Sequence, residues 1–363
     1  MRVLRISFFA FIVFYCQQYV LAKPSIIAVA LLSRHGDRTP SASYPKDPHI
    51  HYPWDGGFGA LTEKGTFQMF KSGMHKASRY GSLVKTENDT SDLSRIYVRS
   101  SCVDRCVKSA ENFLNGFLLE QWPSSLVKVV PRKEDKFLVI TGRPCPKYAS
   151  TIQKGYDIYQ PEMSSFFPTP EDYAEFSVYI KNNTGLNMTS LRTLYILEDI
   201  TEIEMDYGLQ KPVWAESVYD QYVKPISQFT FDKRGSSRYM QVRSGVFLKD
   251  ITERLEEAAK GSNKNVFLYF GHDLTQSALS ICLEILEQTS PRPAYGSSLA
   301  FELHENSALL DDFEIKLVYF KDYSNEHPTE IQIPGCGTPC GFKRFKEIIR
   351  TKFILDYDNI CRL

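Results

Sequence analysis

The chain has 363 residues, with 43 Lys+Arg against 43 Asp+Glu, so its formal net charge at pH 7 is zero. This balance gives no electrostatic reason to expect nucleic acid or an anionic membrane surface as a partner. The length fits one large domain, or a core with a sizeable insertion, and 24 Phe and 21 Tyr residues supply apolar surface for the interior.

The first 22 residues have the pattern of a secretory signal peptide. Arg2 and Arg5 make a basic start, an almost wholly apolar stretch runs from Ile6 to Tyr15, and small residues precede Lys23, where cleavage is expected. A retained anchor is the alternative, but the apolar stretch is short for a bilayer span. No other segment is predicted to cross a membrane, so no membrane anchor is expected.

A strand that ends in a charged loop is the strongest local pattern. The uninterrupted apolar run from Ile26 to Leu32 predicts a strand buried on both faces. The loop that follows, SRHGDRTP at residues 33–40, holds two Arg, one His and one Asp. Open α/β sheets bind ligands just past the carboxyl ends of their strands, and such a concentration of cations requires an anion. Arg34, His35 and Arg38 are therefore candidate anion-binding residues.

The next element is a predicted helix. Thr62 is a candidate N-cap for a helix to about Tyr80, with Phe67, Phe70 and Met74 at helical spacing on one face. The polar stretch at residues 82–94 is then expected to be a surface connection.

A second strand with a helix behind it repeats the first arrangement. Arg95–Ser100 reads as a buried strand, and the helix after it, which runs to Leu119, carries Arg105 near its start. This is again an anion-binding arrangement, because the first-turn N–H groups of a helix point at the ligand. Shorter strands are predicted at Val127–Val130 and Phe137–Ile140.

Between about residues 145 and 238 the pattern changes to short helices broken by Pro and Gly and rich in Tyr and Phe. Helical periodicity is present at three places within it: Asp172–Ile180, Leu191–Met205 and Trp214–Phe229. A long amphipathic helix, Val242–Lys260, then ends at Gly261.

A third buried strand, Asn265–Phe270, ends in Gly271-His272-Asp273 before a helix at Leu274–Leu286. The sequence of strand, Gly, charged pair and helix makes His272 and Asp273 candidate site residues. Two more strands and a final helix are predicted after them: Ser298–Leu303, Phe313–Phe320 and Phe342–Phe353.

Sequons and cysteines fit an oxidising compartment. Three sequons begin at Asn88, Asn182 and Asn187, which are candidate glycosylation sites. Seven cysteines follow the signal peptide, an odd number that leaves at least one thiol free or intermolecular. Cys336 and Cys340 suggest a small disulfide-closed loop; a zinc site is the alternative, but no second Cys/His pair has suitable spacing.

The motif at residues 34–40, Arg-His-Gly-x-Arg-x-Pro directly after an apolar strand, is the signature of the histidine acid phosphatases. The chain resembles this family over nearly its whole mature length. The Asp inside the motif and the later Gly-His-Asp are similar to the animal secreted, lysosomal, prostatic and venom branch, and Leu61-Thr62-x-x-Gly65 also matches. The segment around Arg105 resembles Arg-Ser-Thr-Asp-x-x-Arg-Thr, with Cys102 and Cys106 in place of the usual Asp and Thr.

The resemblance implies a mixed α/β fold with a mainly parallel sheet flanked by helices. An α-helical cap, inserted at roughly residues 145–238, is then expected over the carboxyl edge of the sheet, where it would line the substrate entrance. The resemblance would also join Cys145 to Cys361. Lysosomal relatives carry a carboxyl-terminal membrane helix that this sequence lacks, so secretion is expected rather than the lysosomal lumen.

The resemblance also assigns roles to the candidate residues. His35 would be the nucleophile that forms a phosphohistidine, and Asp273 the general acid that protonates the leaving group. Arg34, Arg38, Arg105 and His272 would bind the phosphate, so that no metal or other cofactor is needed. Guanidinium groups around an imidazole push its pKa down, which keeps His35 neutral and nucleophilic in acid.

A secreted phosphomonoesterase with an acidic optimum, acting on small-molecule or protein phosphomonoesters, is the leading interpretation. The same fold specialised as a phytase or a lysophosphatidate phosphatase is one alternative, and a mutase-like phosphoryl transfer is a weaker one. A venom or salivary binding protein is the non-enzymatic alternative, although it would need neither His35 nor Asp273. The sequence leaves the oligomeric state open, a homodimer included.

Overall fold

A seven-stranded mixed sheet forms the centre of the fold, in the strand order β3-β2-β4-β1-β5-β6-β7. The computed structural model describes residues 25–362 except 159, 307, 308, 310 and 311, so the predicted signal peptide lies outside the described residues. The strands are β1 (Ser25–Arg34), β2 (Ile96–Ser100), β3 (Val127–Val129), β4 (Val266–Gly271), β5 (Ser298–Glu305), β6 (Phe313–Phe320) and β7 (Thr329–Ile331). The pairings from β3 to β1 are parallel and those from β1 to β7 antiparallel, which confirms the predicted mixed α/β class.

The helices are α1 (Glu63–Tyr80), α2 (Asp104–Leu118), α3 (Ala149–Gln153), α4 (Pro170–Thr184), α5 (Arg192–Asp206), α6 (Ala215–Val218), α7 (Lys224–Gly235), α8 (Arg238–Ala259), α9 (Asp273–Cys282), α10 (Phe342–Lys352) and α11 (Tyr357–Ile360). A π-helical turn, Tyr219–Val223, joins α6 to α7, so the segment that the sequence presents as one helix is interrupted. No helix among the residues that the structure describes is both long and apolar enough to cross a membrane.

The alternation of side chains along β1 divides the interior into two layers. Val29 and Leu31 pack with residues of α1 and α2, whereas Ala30 and Leu32 pack with residues of α8, α9 and α10. Successive side chains of a strand point to opposite faces, so a strand covered on both sides needs an apolar residue at every position. The continuous apolar run predicted as a doubly buried strand is this central strand. The end of the strand sets the position of the loop that follows it.

The helices α4 to α7 form a cap with an apolar core of its own. Its buried residues include Ile180, Leu194, Leu197 and Ile226, together with Tyr44 from the loop after β1. The N-terminus of α4 is closed by a capping box between Thr169 and Asp172. The cap therefore packs as a layer of helices apart from the sheet layers, although the boundaries at residues 145 and 238 stay a prediction.

The prediction of a strand at Phe137–Ile140 is wrong. The segment is a series of bends in which Asp135 Oδ1 accepts hydrogen bonds from the N–H groups of Phe137, Leu138 and Val139 at 2.9, 2.7 and 3.1 Å. Arg243 donates to the carbonyl oxygen of Val139 at 2.5 Å. The apolar run is buried as its composition indicates, but a buried carboxylate satisfies its backbone in place of a neighbouring strand.

The apolar stripe noted on α1 is not its buried face. Phe67 and Met74 are 61% and 44% exposed, and the helix instead turns Gly73 toward α2. A Cβ on Gly73 would lie 2.1 Å from the carbonyl oxygen of Phe113, and one on Gly116 would lie 2.0 Å from that of Phe70. The two helices pack in direct backbone contact, which selects the face with the small residues rather than the one with the large apolar side chains.

The described residues contain two disulfide bonds. Cys145 is joined to Cys361, which ties the carboxyl-terminal tail to the segment before the cap, and Cys336 is joined to Cys340 within a short loop. The second bond excludes the alternative of a zinc site at that pair. Among the described residues, Cys102, Cys106 and Cys282 are free thiols.

Candidate active site

Three neighbouring parallel strands end at the same edge of the sheet and bring the separate motifs together. Arg34 of β1 lies opposite Gly271 of β4, and Ser100 of β2 lies opposite Phe270 of the same strand. The N–H of His35 donates to the carbonyl oxygen of Gly271 at 3.2 Å. The loop after β1, the Gly-His-Asp after β4 and the start of α2 after β2 therefore surround one point.

His35 lies at that point with both ring nitrogens oriented. Its Nδ1 is 2.8 Å from the carbonyl oxygen of Gly36, an arrangement in which Nδ1 carries the proton and donates. Its Nε2 accepts a hydrogen bond from Nε of Arg105 at 3.0 Å, so the lone pair of Nε2 faces the guanidinium groups. Burial first, then the charges of Arg105 and Arg34, hold the pKa of His35 well below its ordinary value. A neutral imidazole with a directed lone pair is what a nucleophile requires.

Two interlocked glycines hold the loop of His35 against α1. A Cβ on Gly36 would lie 2.4 Å from the carbonyl oxygen of Gly65, and one on Gly65 would lie 2.2 Å from that of Asp37. The side chain of Asp37 accepts hydrogen bonds from Thr62 Oγ1 at 2.7 Å and from Tyr207 Oη, in the cap, at 2.8 Å. The Leu-Thr-x-x-Gly segment and the Asp of the first motif thus position the loop that carries His35.

Asp273 begins α9 and pairs with Arg34. Its Oδ2 is 3.1 Å from an Nη of Arg34, and its Oδ1 accepts from the N–H of Leu274 at 2.7 Å. Burial by itself would raise the pKa of Asp273, but the charge of Arg34 and the hydrogen bond from the Leu274 N–H outweigh it and lower this pKa from its ordinary value. Without a substrate the carboxyl group is therefore ionised.

Arg38 is bound by a carboxylate from the cap. One Nη donates to Asp199 Oδ1 at 2.6 Å and the other to the carbonyl oxygen of Thr39 at 3.1 Å. Its Nε is buried without a hydrogen-bond partner in the part of the chain that the structure describes. Burial alone would lower the pKa of Arg38, but the Asp199 carboxylate raises it. Arg38 is thus a buried, charged group with donor capacity left over.

His272 completes the cluster beside Arg105. Its Nε2 is 3.0 Å from Ser101 Oγ, and its ring centroid is 5.7 Å from that of His35. Burial, followed by the charge of Arg105, lowers the pKa of His272, which keeps the ring neutral in mild acid. The Sγ of Cys106 lies 3.8 Å from Nε2. The Cys replacements near α2 therefore leave Arg105 at the site, next to His35.

A cavity of about 650 Å³ lies next to this cluster, between the sheet edge and the cap, and two members of the cluster, Arg34 and Asp273, line it. Arg292 and Tyr295 complete its sheet side, with the Arg34 guanidinium 4.0 Å from the ring centre of Tyr295. The cap side holds five carboxylates and one lysine and comes from α5, the π-helical turn and α7: Tyr195, Glu198, Asp199, Glu202, Ile203, Asp206, Asp220, Lys224, Pro225 and Gln228. Among the described residues, no group of three or more His, Cys, Asp or Glu side chains could hold a metal ion.

All six residues predicted from the sequence as catalytic or substrate-binding lie in this cluster: Arg34, His35, Arg38, Arg105, His272 and Asp273. Asp199 and Tyr295 are not among the sequence predictions. Asp199, Glu202 and Asp206 recur at helical spacing within a predicted helix, so an acidic stripe is visible in the sequence, but not the surface that it faces. Tyr295 lies in a Pro-rich loop with no local signal.

Comparisons with known proteins agree with this geometry. The family model of the histidine phosphatase superfamily (branch 2) matches residues 25–320. Human lysosomal acid phosphatase is 29% identical over 356 residues, covering 93% of this chain and 81% of that protein. Human prostatic acid phosphatase is 25% identical over 376 residues, covering 99% of this chain and 93% of that protein.

Solved structures show the same fold at lower identity. Hafnia alvei phytase in complex with tartrate superposes with a TM-score of 0.66 at 17% identity, covering 94% of this chain and 99% of that one. Citrobacter braakii phytase gives 0.67 at 16% identity with the same coverage. Because the family model covers most of the chain, this protein belongs to branch 2 of the histidine phosphatase superfamily.

Proposed function

We propose that this protein is an acid phosphatase that hydrolyses phosphate monoesters through a phosphohistidine at His35. The observation that carries the proposal is the environment of His35, a buried neutral imidazole whose Nε2 faces Arg105 with Arg34 and Arg38 nearby. The similarity to lysosomal, testicular and prostatic acid phosphatases supports the same reaction.

When the substrate binds, Arg34, Arg38 and Arg105 bind the non-bridging oxygens and neutralise charge on the transferring group. Arg105 thereby exchanges its hydrogen bond to His35 Nε2 for one to the phosphate, which frees the lone pair of Nε2. In the first step this lone pair attacks phosphorus, and the bond from phosphorus to the ester oxygen breaks. The proton on Nδ1 stays hydrogen-bonded to the carbonyl oxygen of Gly36, which orients the ring and stabilises the positive charge that develops on it.

Asp273 supplies the proton to the leaving oxygen. It is ionised while it pairs with Arg34, so it must gain a proton when substrate binds. A bound phosphate competes for Arg34 and places negative charge next to the carboxylate, and both effects raise the pKa of Asp273. Because the second pKa of a phosphate monoester is about 6, the substrate brings its own proton in acid and can hand it to Asp273. This accounts for activity in acid.

In the second step water attacks the phosphohistidine, and the Asp273 carboxylate, now without its proton, accepts one from that water. The bond between Nε2 and phosphorus breaks, and inorganic phosphate leaves. The arginines perform the charge neutralisation that a metal ion performs in other phosphatases, so the scheme includes no cofactor.

The compartment proposed for the enzyme is extracellular. The predicted signal peptide, the two disulfide bonds and three exposed sequon asparagines, Asn88, Asn182 and Asn187, support a secreted glycoprotein. The interior of the lysosome is the alternative that the relatives' names suggest.

Trapping the intermediate tests the proposal. With 32P-labelled p-nitrophenyl phosphate in mild acid, rapid quenching into alkaline denaturant should leave base-stable, acid-labile label on His35. His35→Ala should lose the label and lower kcat by at least about 10⁴-fold, as removal of a nucleophile does elsewhere. His51→Ala, at an exposed loop histidine, is the matched control and should behave as wild type. Label on a Ser or Asp residue, or turnover that survives His35→Ala, would overturn the assignment.

A further inference from the structure

The two sides of the catalytic cavity carry opposite charge. Its floor holds Arg34, while Arg38 contacts Asp199 of the cap side and Arg105 contacts His35. The Arg38 side chain is only 9% exposed and has an Nε that lacks a partner among the described residues. Such a group calls for an anionic ligand, which is the phosphate of the proposed function. The cap side of the same cavity presents carboxylates, so it faces the part of the substrate that leaves.

The acidic side is an ordered stripe on α5. Asp199, Glu202 and Asp206 are three and four residues apart, a spacing that places side chains on one face of a helix. All three line the cavity. With a rise of 1.5 Å per residue, the stripe extends about 10 Å from Asp199, which contacts Arg38, to Asp206. A leaving group that extends away from the bound phosphate would run along it.

Neighbouring cations offset only part of this charge. Glu198 pairs with Arg292, and Glu202 pairs with Lys224 at 2.7 Å. Asp206 is exposed and forms no ion pair within the described part of the chain. Asp199 has Arg38 as its partner, and a bound phosphate must share that guanidinium. Phosphate binding therefore leaves negative charge at Asp199, with Asp206 further along the stripe.

We propose that this cavity selects phosphate monoesters whose alcohol part carries a cationic nitrogen, with the phosphate on the arginine floor and the cation along the α5 stripe. The proposal rests on the proposed function, because it names the substrate class of the same site.

The same charge distribution disfavours polyanionic esters. An inositol polyphosphate would place further phosphates beside Asp199, Glu202 and Asp206, where like charges repel. The solved phytase structures share the fold at 15 to 17% identity, which gives no information about this surface. The acidic stripe therefore argues against the phytase alternative.

A matched series of substrates tests the proposal. Alkyl phosphates that end in an ammonium, a methyl or a carboxylate group, with chains from about two to about eight methylenes, reach progressively further along the stripe. At pH about 6.5 the carboxylate and the ammonium ends of these substrates are both charged. The ammonium-terminated phosphates should have a kcat/KM at least about tenfold higher than the carboxylate-terminated ones, mainly because their KM is lower. The methyl-terminated phosphates (called methyl esters below, as the others are called ammonium and carboxylate esters) should lie between them. Inositol hexakisphosphate should be the poorest substrate.

Substitutions on the stripe locate the effect. Asp206→Asn should lower the ratio of kcat/KM for the longer ammonium-terminated phosphates to kcat/KM for the methyl-terminated phosphates of the same length by about three- to fivefold. Asp206→Lys should reduce it further, because the local charge changes sign. Glu175→Gln removes the same charge from an exposed position on α4, outside the cavity, and should leave the preference as in wild type.

The possible failures are distinguishable. If the methyl esters are hydrolysed through His35 but the ammonium and carboxylate esters are turned over equally, the proposed function stands and the charge selection is wrong. If no ester is hydrolysed, the proposed function fails, and calorimetric binding of the corresponding non-hydrolysable alkylphosphonates decides the selection. Tighter binding of the ammonium phosphonates, weakened by Asp206→Asn, would support it, and equal affinities would overturn it.

Discussion

The floor and the cap side of the catalytic cavity are built in different ways. The floor consists of residues at the ends of adjacent strands, held by backbone hydrogen bonds and by two glycines in direct contact with main-chain atoms. The cap side consists of side chains on α5, a helix that belongs to a separate apolar core. A change on α5 replaces one side chain, whereas a change in the floor disturbs the backbone. Substitutions at Glu202 or Asp206 can therefore change the cap side without moving the floor, whereas Asp199 is coupled to the floor through Arg38.

If this separation holds, substitutions in the floor should change the rate of the chemical step, and substitutions on the cap side should change the preference among substrates. After removal of the nucleophile His35, the largest effect is expected at Asp273. General acid catalysis contributes roughly 10²–10⁴-fold, and its value depends on how much the leaving group needs a proton. Asp273→Asn should lower kcat/KM for an alkyl phosphate within that range and affect p-nitrophenyl phosphate far less, because p-nitrophenolate leaves without help. Single-turnover kinetics must show that chemistry limits both substrates.

Two controls make the Asp273 result specific. Asp206→Asn removes a carboxylate from the cap side of the cavity and should not distinguish the two leaving groups, since both are uncharged in the alcohol part. His35→Ala should damage both substrates alike. An equal loss for both substrates in Asp273→Asn, with chemistry limiting, would assign Asp273 an orienting role through Arg34 instead of proton transfer.

A smaller loss of activity is expected from substitution of Arg105, together with a shift of the pH profile. Arg105→Met removes a phosphate ligand and should lower kcat/KM by about 10²-fold. It also removes the largest charge effect on the pKa of His35, which burial and then Arg105 hold down. The pKa of His35 should therefore rise toward its ordinary value, so the ring becomes protonated at a higher pH. The acid limb of kcat/KM should move to higher pH, once the ionisation of the substrate is taken into account.

Arg105→Lys separates the two roles of this residue. The ammonium group keeps the charge, so the acid limb should move less than in Arg105→Met. The planar fork that suits phosphate oxygens is lost, so kcat/KM should still fall. A pH profile that is identical in Arg105→Met and wild type would contradict the view that guanidinium charge keeps His35 neutral, and would leave burial as the cause.

The difference between floor and cap also decides what the sequence reveals. The floor is predictable because each motif directly follows a buried strand, and parallel neighbours bring strand ends together. Arg34, His35, His272 and Asp273 are therefore recognisable from the amino-acid sequence alone. Asp199 is not, because its contact with Arg38 depends on how the cap helices lie on the sheet, and helical periodicity gives a face but not its partner.

Backbone contacts account for the errors of prediction within the sheet layers. Phe137–Ile140 has the composition of a strand, yet the Asp135 carboxylate and the distant Arg243 satisfy its backbone. Phe67 and Met74 look like a core-facing stripe, yet Gly73 lets α2 approach on another face. Local pattern identifies which residues are apolar or helical, but the choice between competing contacts is made only in the folded chain.

The smallest effect is expected from removing metal ions, and it bears on how the floor works. Three guanidinium groups around His35 already supply the positive charge that a phosphoryl transfer needs, and they would repel a divalent cation. Incubation with EDTA or a zinc chelator, followed by assay in chelator-treated buffer, should leave kcat/KM unchanged within error for both p-nitrophenyl and alkyl phosphates. Added Mg²⁺ or Zn²⁺ should not raise it. A metalloenzyme phosphatase treated in parallel shows that the chelation is effective. Loss of activity that a divalent ion restores would mean that the arginines do not neutralise the phosphate alone, and would contradict the division between a cationic floor and an anionic cap.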